Sequence, residues 1–242
     1  MERLQAELDK LIARLEQSGR ARPALDGLVS VYPFNQFEYI IVHLMAHGAL
    51  SLDDYHRLRQ EFVERTPFLQ LFELSGSAFS AKALALVRGD AQSLQRASKQ
   101  QDPDYCGQYD LFLPPGIRIE FKAARAVRSD VSAPLVAKAL STSSPEPFDM
   151  IFEQIKPKHC DVFLWLAVWR DALMYWVIPS HEVAKDRYYS DGQHRGNVGE
   201  GQLHLKQENI REFGKYRTAP RDIEEAVRQA AKKERESRST KG

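Results

Sequence analysis

Asp110, Glu120 and Lys122 are the residues of this chain whose types and spacing best fit chemistry. Residues 117 to 123 read Ile-Arg-Ile-Glu-Phe-Lys-Ala. The alternation is strict, with Ile117, Ile119 and Phe121 on one face of a strand and Arg118, Glu120 and Lys122 on the other. Gln108 to Leu113 is also strand-like, and Pro114-Pro115-Gly116 between the two runs is a turn signal. A three-residue loop there pairs Leu113 with Ile117 and sets Asp110 opposite Glu120, where cross-strand Cβ atoms lie about 4.5–5.5 Å apart. The hairpin then gathers two carboxylates and an ammonium. Carboxylates that close repel unless a cation separates them, and oxygen ligands on a rigid hairpin with positions left open suit Mg²⁺. The competing reading is a solvated strand face, where Glu120 and Lys122 form a surface pair of small energetic weight and Asp110 pairs with Arg118. The turn, the alternation and the strands downstream favour the site.

Tyr109-Asp110, nine residues, then Glu120-Phe121-Lys122 resembles the signature of the PD-(D/E)XK nuclease superfamily and, within it, the type II restriction endonucleases. The family carries Pro before its first acid; Tyr109 stands here, at a position that varies in the family. The likeness spans about residues 70 to 180. It implies an α/β fold: a restriction-endonuclease-like core with a mixed central β-sheet flanked by helices. It also implies that Asp110 and Glu120 bind Mg²⁺ and that Lys122 orients or activates the attacking water. The activity implied is Mg²⁺-dependent, sequence-specific cleavage of double-stranded DNA by a homodimer whose two-fold axis matches a palindromic site. A structure-selective or repair nuclease on the same core is one alternative, and a non-catalytic DNA-binding or assembly module is another.

The 242 residues suffice for one good core, or one core with a small appended domain. A hydrophobic fraction of 43% is ordinary for a globular protein. No apolar run is long enough to span a bilayer, the longest being Val162 to Val168, so no membrane is expected. Met1-Glu2-Arg3 leads into an amphipathic pattern rather than a signal peptide. Cys106 and Cys160 make no disulfide framework, and the expected setting is a reducing cytoplasm. The net charge is only +1, and dedicated nucleic-acid binders are often far more basic. The distribution favours an anionic substrate more than the total does. Residues 1–90 carry 10 basic and 12 acidic groups (−2), residues 114–138 carry 5 and 2 (+3), and residues 205–242 carry 11 and 7 (+4).

The first ninety residues read as a helical N-terminal region. Leu4, Leu8, Leu11, Ile12 and Leu15 form a helical stripe, Asn35 is a cap for a second helix stopped near Gly48, and Ser51 with Asp54 opens a third. That third helix points Tyr55, Leu58 and Phe62 inward and closes at Pro67; a fourth runs from about Ser77 to Val87. A loop over 89–107 leads to the hairpin, and residues 91–236 are assigned to the nuclease core. A short helix is expected around Leu135 to Leu140, and a helix that supplies polar groups is expected near Glu153 to Lys156. Asp161 to Trp169 reads as a strand buried on both faces and is followed by Ala172 to Ile178. Ser180 caps a short helix, residues 221–236 form a charged one, and 237–242 read as a disordered tail.

The polar, glycine-rich stretch 187–206 is the expected base-reading loop, with Gln193, His194, Arg195, Asn197 and Gln202 as its contacts. Arg, Asn and Gln can grip guanine and adenine edges with two bonds each. Arg125, Arg128 and Lys138 are the expected phosphate contacts, joined by Gln154 and Lys156. For any one of these residues, an ordinary exposed side chain is the competing reading. His43 and His47 have zinc spacing but no third ligand nearby, and no P-loop or dinucleotide fingerprint is present. Trp165, Trp169 and Trp176 fall in expected strands and read as core.

Overall fold

The protein is described by a computed structural model that covers residues 41, 43–191 and 200–240. The described residues divide between two compact units, with the boundary between Gln70 and Leu71. In the first unit a helical turn ends at Gly48, whose φ of 70° is open to glycine. Helix α1 (Leu52–Arg65) then begins as its sequence dictates. Ser51 is its N-cap and accepts a hydrogen bond from the Asp54 amide at 3.0 Å, while the Asp54 carboxylate accepts from the Ser51 hydroxyl. It stops at Thr66, because the residue before Pro67 is sterically pushed out of the helical region. Tyr55 is buried as expected, whereas Leu58 is 41% exposed. The leucine stripe over 4–15 and the Asn35 cap lie outside the described residues.

The second unit is a mixed α/β assembly built on a six-stranded sheet in the order β1-β2-β3-β5-β6-β9. These strands are β1 (Gln95–Arg96), β2 (Leu111–Leu113), β3 (Ile117–Arg125), β5 (Val162–Val168), β6 (Leu173–Pro179) and β9 (Arg217–Thr218). Only β3 and β5 run parallel, which makes the sheet mixed. Helix α2 (Gly76–Asp90) buries Phe79, Ala83 and Val87, one apolar residue per turn, and packs against β3. It therefore belongs with the sheet, and the division falls at residue 70 rather than at 90. Helix α4 (Ile223–Ser239) buries Ile223, Val227, Ala230 and Ala231 against β5 and β6. It continues to Ser239, past the expected end at 236. Among the described residues no helix is long and apolar enough to cross a membrane.

A parallel β3–β5 pair needs a long crossover. The expected helix near Glu153 to Lys156 is absent; strand β4 (Asp149–Ile155) stands in its place. The physical reason is period-two patterning: Met150 and Phe152 are buried while Ile151 and Glu153 are exposed. The expected loop at 187–206 is likewise partly strand. β7 (Tyr189–Asp191) and β8 (Gly201–Lys206) join β4 in a second sheet, ordered β4-β8-β7. The short helix near Leu135 is a single 3-10 turn, Leu135–Lys138. Helix α3 (Ser180–Lys185) follows β6 as expected.

The large sheet is thus covered on both sides. One face meets α2 and α4. The other carries Phe163, Trp165, Ala167 and Trp176, which pack on Met150, Phe152, Leu203 and Leu205 of the small sheet. Trp165 stacks on Phe152 at 4.7 Å between ring centroids. Glycine is required at Gly201, where a Cβ would come within 2.4 Å of the Tyr189 ring. Gly201→Ala is expected to destabilise the protein by about 1–3 kcal/mol, the usual cost of overpacking. An unchanged urea midpoint would show that the ring swings aside freely.

Candidate active site

The hairpin has the expected turn and register. Leu113 faces Ile117, Phe112 faces Arg118 and Leu111 faces Ile119. The strand nevertheless begins at Leu111 rather than Gln108, so Asp110 does not enter the ladder opposite Glu120. Its amide donates to the Ile119 carbonyl at 3.1 Å, one residue out of register. Its carboxylate Oδ2 accepts the Phe121 amide at 3.0 Å. The side chain of Asp110 takes the place of a strand partner and ends the pairing there. Arg118 does not pair with Asp110; it bonds Asp161 at 3.2 Å, and Arg238 of α4 reaches the same carboxylate at 3.3 Å.

Glu120 is not on a solvated face. It is only 6% exposed, because the second sheet covers the side of β3 that carries Glu120, Lys122 and Ala124. Lys122 Nζ lies 2.8 Å from Glu120 Oε1, with both side chains largely buried. Burial pushes the Glu120 carboxyl up to about 7; the Asp110 carboxylate pushes the same way, while Lys122 and Lys156 oppose it. A buried carboxylate costs free energy in its charged form. With an unfolded value near the ordinary 4.5, the folded protein holds this proton more tightly. Stability contributed by Glu120 is therefore highest below pH 4.5 and falls as pH rises toward 7, by about 3 kcal/mol. Glu120→Gln is expected to stabilise the metal-free protein by about 1–3 kcal/mol at pH 8 and to have little effect at pH 4.5. Chemical denaturation at the two pH values measures this, and equal effects at both would contradict the assignment.

Beyond Ile119 no described strand pairs with the β2 side of β3. The Phe121 amide points to this open edge, and strand alternation puts the amide and carbonyl of Ala123 there too. A groove of about 430 Å³ follows the edge. Asp110, Phe121 and Lys122 lie along one side of it, Ser80, Ala81 and Leu84 of α2 on another, and Ile151 to Gln154 of β4 close it. Gln154 has a φ of 55°, unusual for a glutamine, within a bulge between Phe152 and Ile155. Bulges re-aim side chains beside functional clefts, and strained backbone clusters in the same places. Arg96 of β1 and Glu153 also line the groove. Arg96 lay in an expected loop, and no local pattern marked it.

The other expected contacts are scattered. Lys156 lies 2.8 Å from Glu200 and within electrostatic reach of Glu120. Arg128 is held by Asp130 at 2.8 Å and Glu146 at 3.3 Å, and neither it nor Lys138 lines the groove. Arg125 lies beyond Ala123 on β3. Gln202 is half-buried in β8, not in a loop. Gln193, His194, Arg195 and Asn197 lie outside the described residues. A larger cavity of about 660 Å³ sits elsewhere, over Trp169, Trp176, Arg211 and Arg217, but it holds no paired titratable groups of the kind gathered at Glu120.

The donors suit a hard cation. Asp110 and Glu120 are two carboxylates that repel, one of them desolvated, at the open edge of β3. No cluster of three or more His, Cys, Asp or Glu side chains able to hold a metal occurs among the described residues. Two protein carboxylates match Mg²⁺, which keeps several waters and takes the remaining ligands from substrate phosphates. They do not match a closed zinc site. No protein-family model matches this chain, and comparison with the curated proteins returns no match.

Proposed function

We propose that this chain is a Mg²⁺-dependent endonuclease that cleaves phosphodiester bonds of double-stranded DNA at a specific short sequence, built on a restriction-endonuclease-like core. The observation that carries the reading is the groove at the open edge of β3, lined by Asp110 and Lys122 and walled by α2 and the bulge at Gln154, with the buried Glu120 held 2.8 Å behind Lys122. Asp110 and Glu120 are the residues to hold the cation, which when bound supplies positive charge against the phosphate and acidifies water.

Lys122 presents three donors, and Glu120 occupies one of them. The others are available to orient the attacking water or a phosphate oxygen. Burial strengthens each of these interactions relative to water, and the groove is wide enough for a backbone phosphate with its neighbours. Gln154, which lines the groove, and Lys156, within electrostatic reach of Glu120, are the proposed phosphate contacts. A homodimer, with each subunit cutting one strand, completes the proposal. Incubation of supercoiled plasmid with the full chain and Mg²⁺ tests it. Discrete linear fragments are expected. A smear or nicked circles would indicate a nuclease without sequence specificity, and intact plasmid would remove the catalytic reading.

A further inference from the structure

Arg125 carries a positive charge that no carboxylate among the described residues answers. It is half-buried at the end of β3, with its guanidinium carbon 3.9 Å above the centre of the Phe79 ring. One terminal nitrogen donates to the Leu74 carbonyl at 2.8 Å, while Nε is buried and bonded to nothing. Arg125 makes no ion pair with any carboxylate among the described residues. Arg118, comparably covered, behaves differently, being answered by Asp161, and even the more exposed Arg128 is held by Asp130 and Glu146. Withdrawal from water is the cause that pulls the Arg125 pKa down, with no acid nearby to offset it. A desolvated cation without a counter-ion is costly, and an unbonded buried donor calls for a partner.

Its position identifies the partner. Phe79 directly precedes Ser80, and Arg125 lies two residues beyond Ala123, on the same side of the strand; Ser80 and Ala123 both line the candidate catalytic groove. Two residues of strand advance about 7 Å. Arg125 therefore lies next to the end of the groove that Ser80 and Ala123 mark, on the α2 side of β3.

We infer that Arg125 is the receptor for a backbone phosphate next to the one attacked, and that it fixes the register of the DNA strand along β3. The inference rests on the proposed nuclease reading. Phe79 holds the guanidinium plane from below, and the Leu74 carbonyl fixes its rotation. The donors left on the two terminal nitrogens can then meet two phosphate oxygens at once, a geometry for which a planar fork is suited and an ammonium is not. Arg125 is thus a positioning residue, with no part in moving protons at the reacting atoms.

The test is binding of a mixed-sequence fluorescent duplex by the full chain in Ca²⁺, over a series of salt concentrations. It uses the wild type, Arg125→Ala, Arg125→Lys and Arg125→Gln, with melting temperatures recorded for each. Arg125→Gln keeps a donor for Leu74 and remains informative if Arg125→Ala does not fold. Arg125→Ala and Arg125→Gln are expected to bind about 10- to 100-fold more weakly, the loss of one charge-assisted hydrogen bond. Their plots of log affinity against log salt should be shallower by about 0.9, the signature of one lost phosphate contact. Arg125→Lys should keep the wild-type slope with weakened affinity. An unchanged slope in Arg125→Gln, with only a lowered melting temperature, would show a purely structural arginine and overturn the inference. A wild type that binds no duplex would instead overturn the nuclease reading and this inference with it, so the two failures are distinct.

Discussion

Asp110→Asn is expected to reduce DNA cleavage by about 10³-fold or more while leaving duplex binding in Ca²⁺ within a few-fold of wild type. Charge stabilisation by a bound cation is worth several kcal/mol in the transition state, and each 1.36 kcal/mol is a factor of about ten in rate. The substitution is nearly isosteric and removes one negative charge from an exposed side chain, so the fold should tolerate it. Asn can still accept the Phe121 amide through its carbonyl oxygen, which keeps the end of the β2–β3 ladder in place. What it loses is the anionic ligand. Rates from single-turnover cleavage, set beside binding measured separately, divide the two effects. Cleavage near the wild-type rate would remove Asp110 from the site.

Lys122→Ala should lower the cleavage rate by about 10²–10⁴-fold, the range for a positioned group acting on a transferred proton. The structure adds a reason for expecting the upper part of that range. Lys122 Nζ sits 2.8 Å from a carboxylate that is itself buried, so the ammonium is held in one place rather than sampling solvent. Lys122→Arg should not restore activity, because a planar fork cannot replace a compact ammonium in this space. A Lys122→Ala protein with full single-turnover activity would reduce the lysine to a charge-neutralising partner of Glu120.

The hairpin was legible from its residues because three local signals agreed: alternation at 117–123, the Pro-Pro-Gly turn, and the short apolar run at 111–113. The same was true of β5 and β6, whose apolar runs are bounded by charged and proline residues. The second sheet was not legible as a sheet. β7 has no buried position, and β4 and β8 bury only three each, Met150, Phe152 and Ile155 in β4 and Gly201, Leu203 and Leu205 in β8, set among polar residues that read equally well as loop or helix. That omission concealed the most consequential property of the site. Glu120 alternates like a solvated residue, yet a sheet formed from residues some thirty to eighty positions away covers it. Asp110 differed for a related reason: pairing arithmetic extends a ladder indefinitely, whereas a carboxylate that takes a backbone amide ends it. Arg128 looked like a phosphate contact by charge alone, and Asp130 and Glu146, both nearby in sequence, already hold it.

Asp110 and Glu120 are proposed to form a divalent-cation site together, and thermal unfolding with and without Mg²⁺ tests this without any knowledge of the substrate sequence. At pH 8, above its raised pKa of about 7, Glu120 is charged and bears most of its desolvation cost. A cation bound only by the folded state at about 100 times its dissociation constant stabilises by about 2.7 kcal/mol. For a chain of this size that corresponds to a rise of roughly 5–10 °C in melting temperature. The wild type should show this rise with Mg²⁺, it should shrink as pH falls below 7, and Asp110→Asn combined with Glu120→Gln should abolish it. A wild-type melting temperature indifferent to Mg²⁺ and Mn²⁺ at pH 8, or an equal rise in the double variant, would contradict the claim.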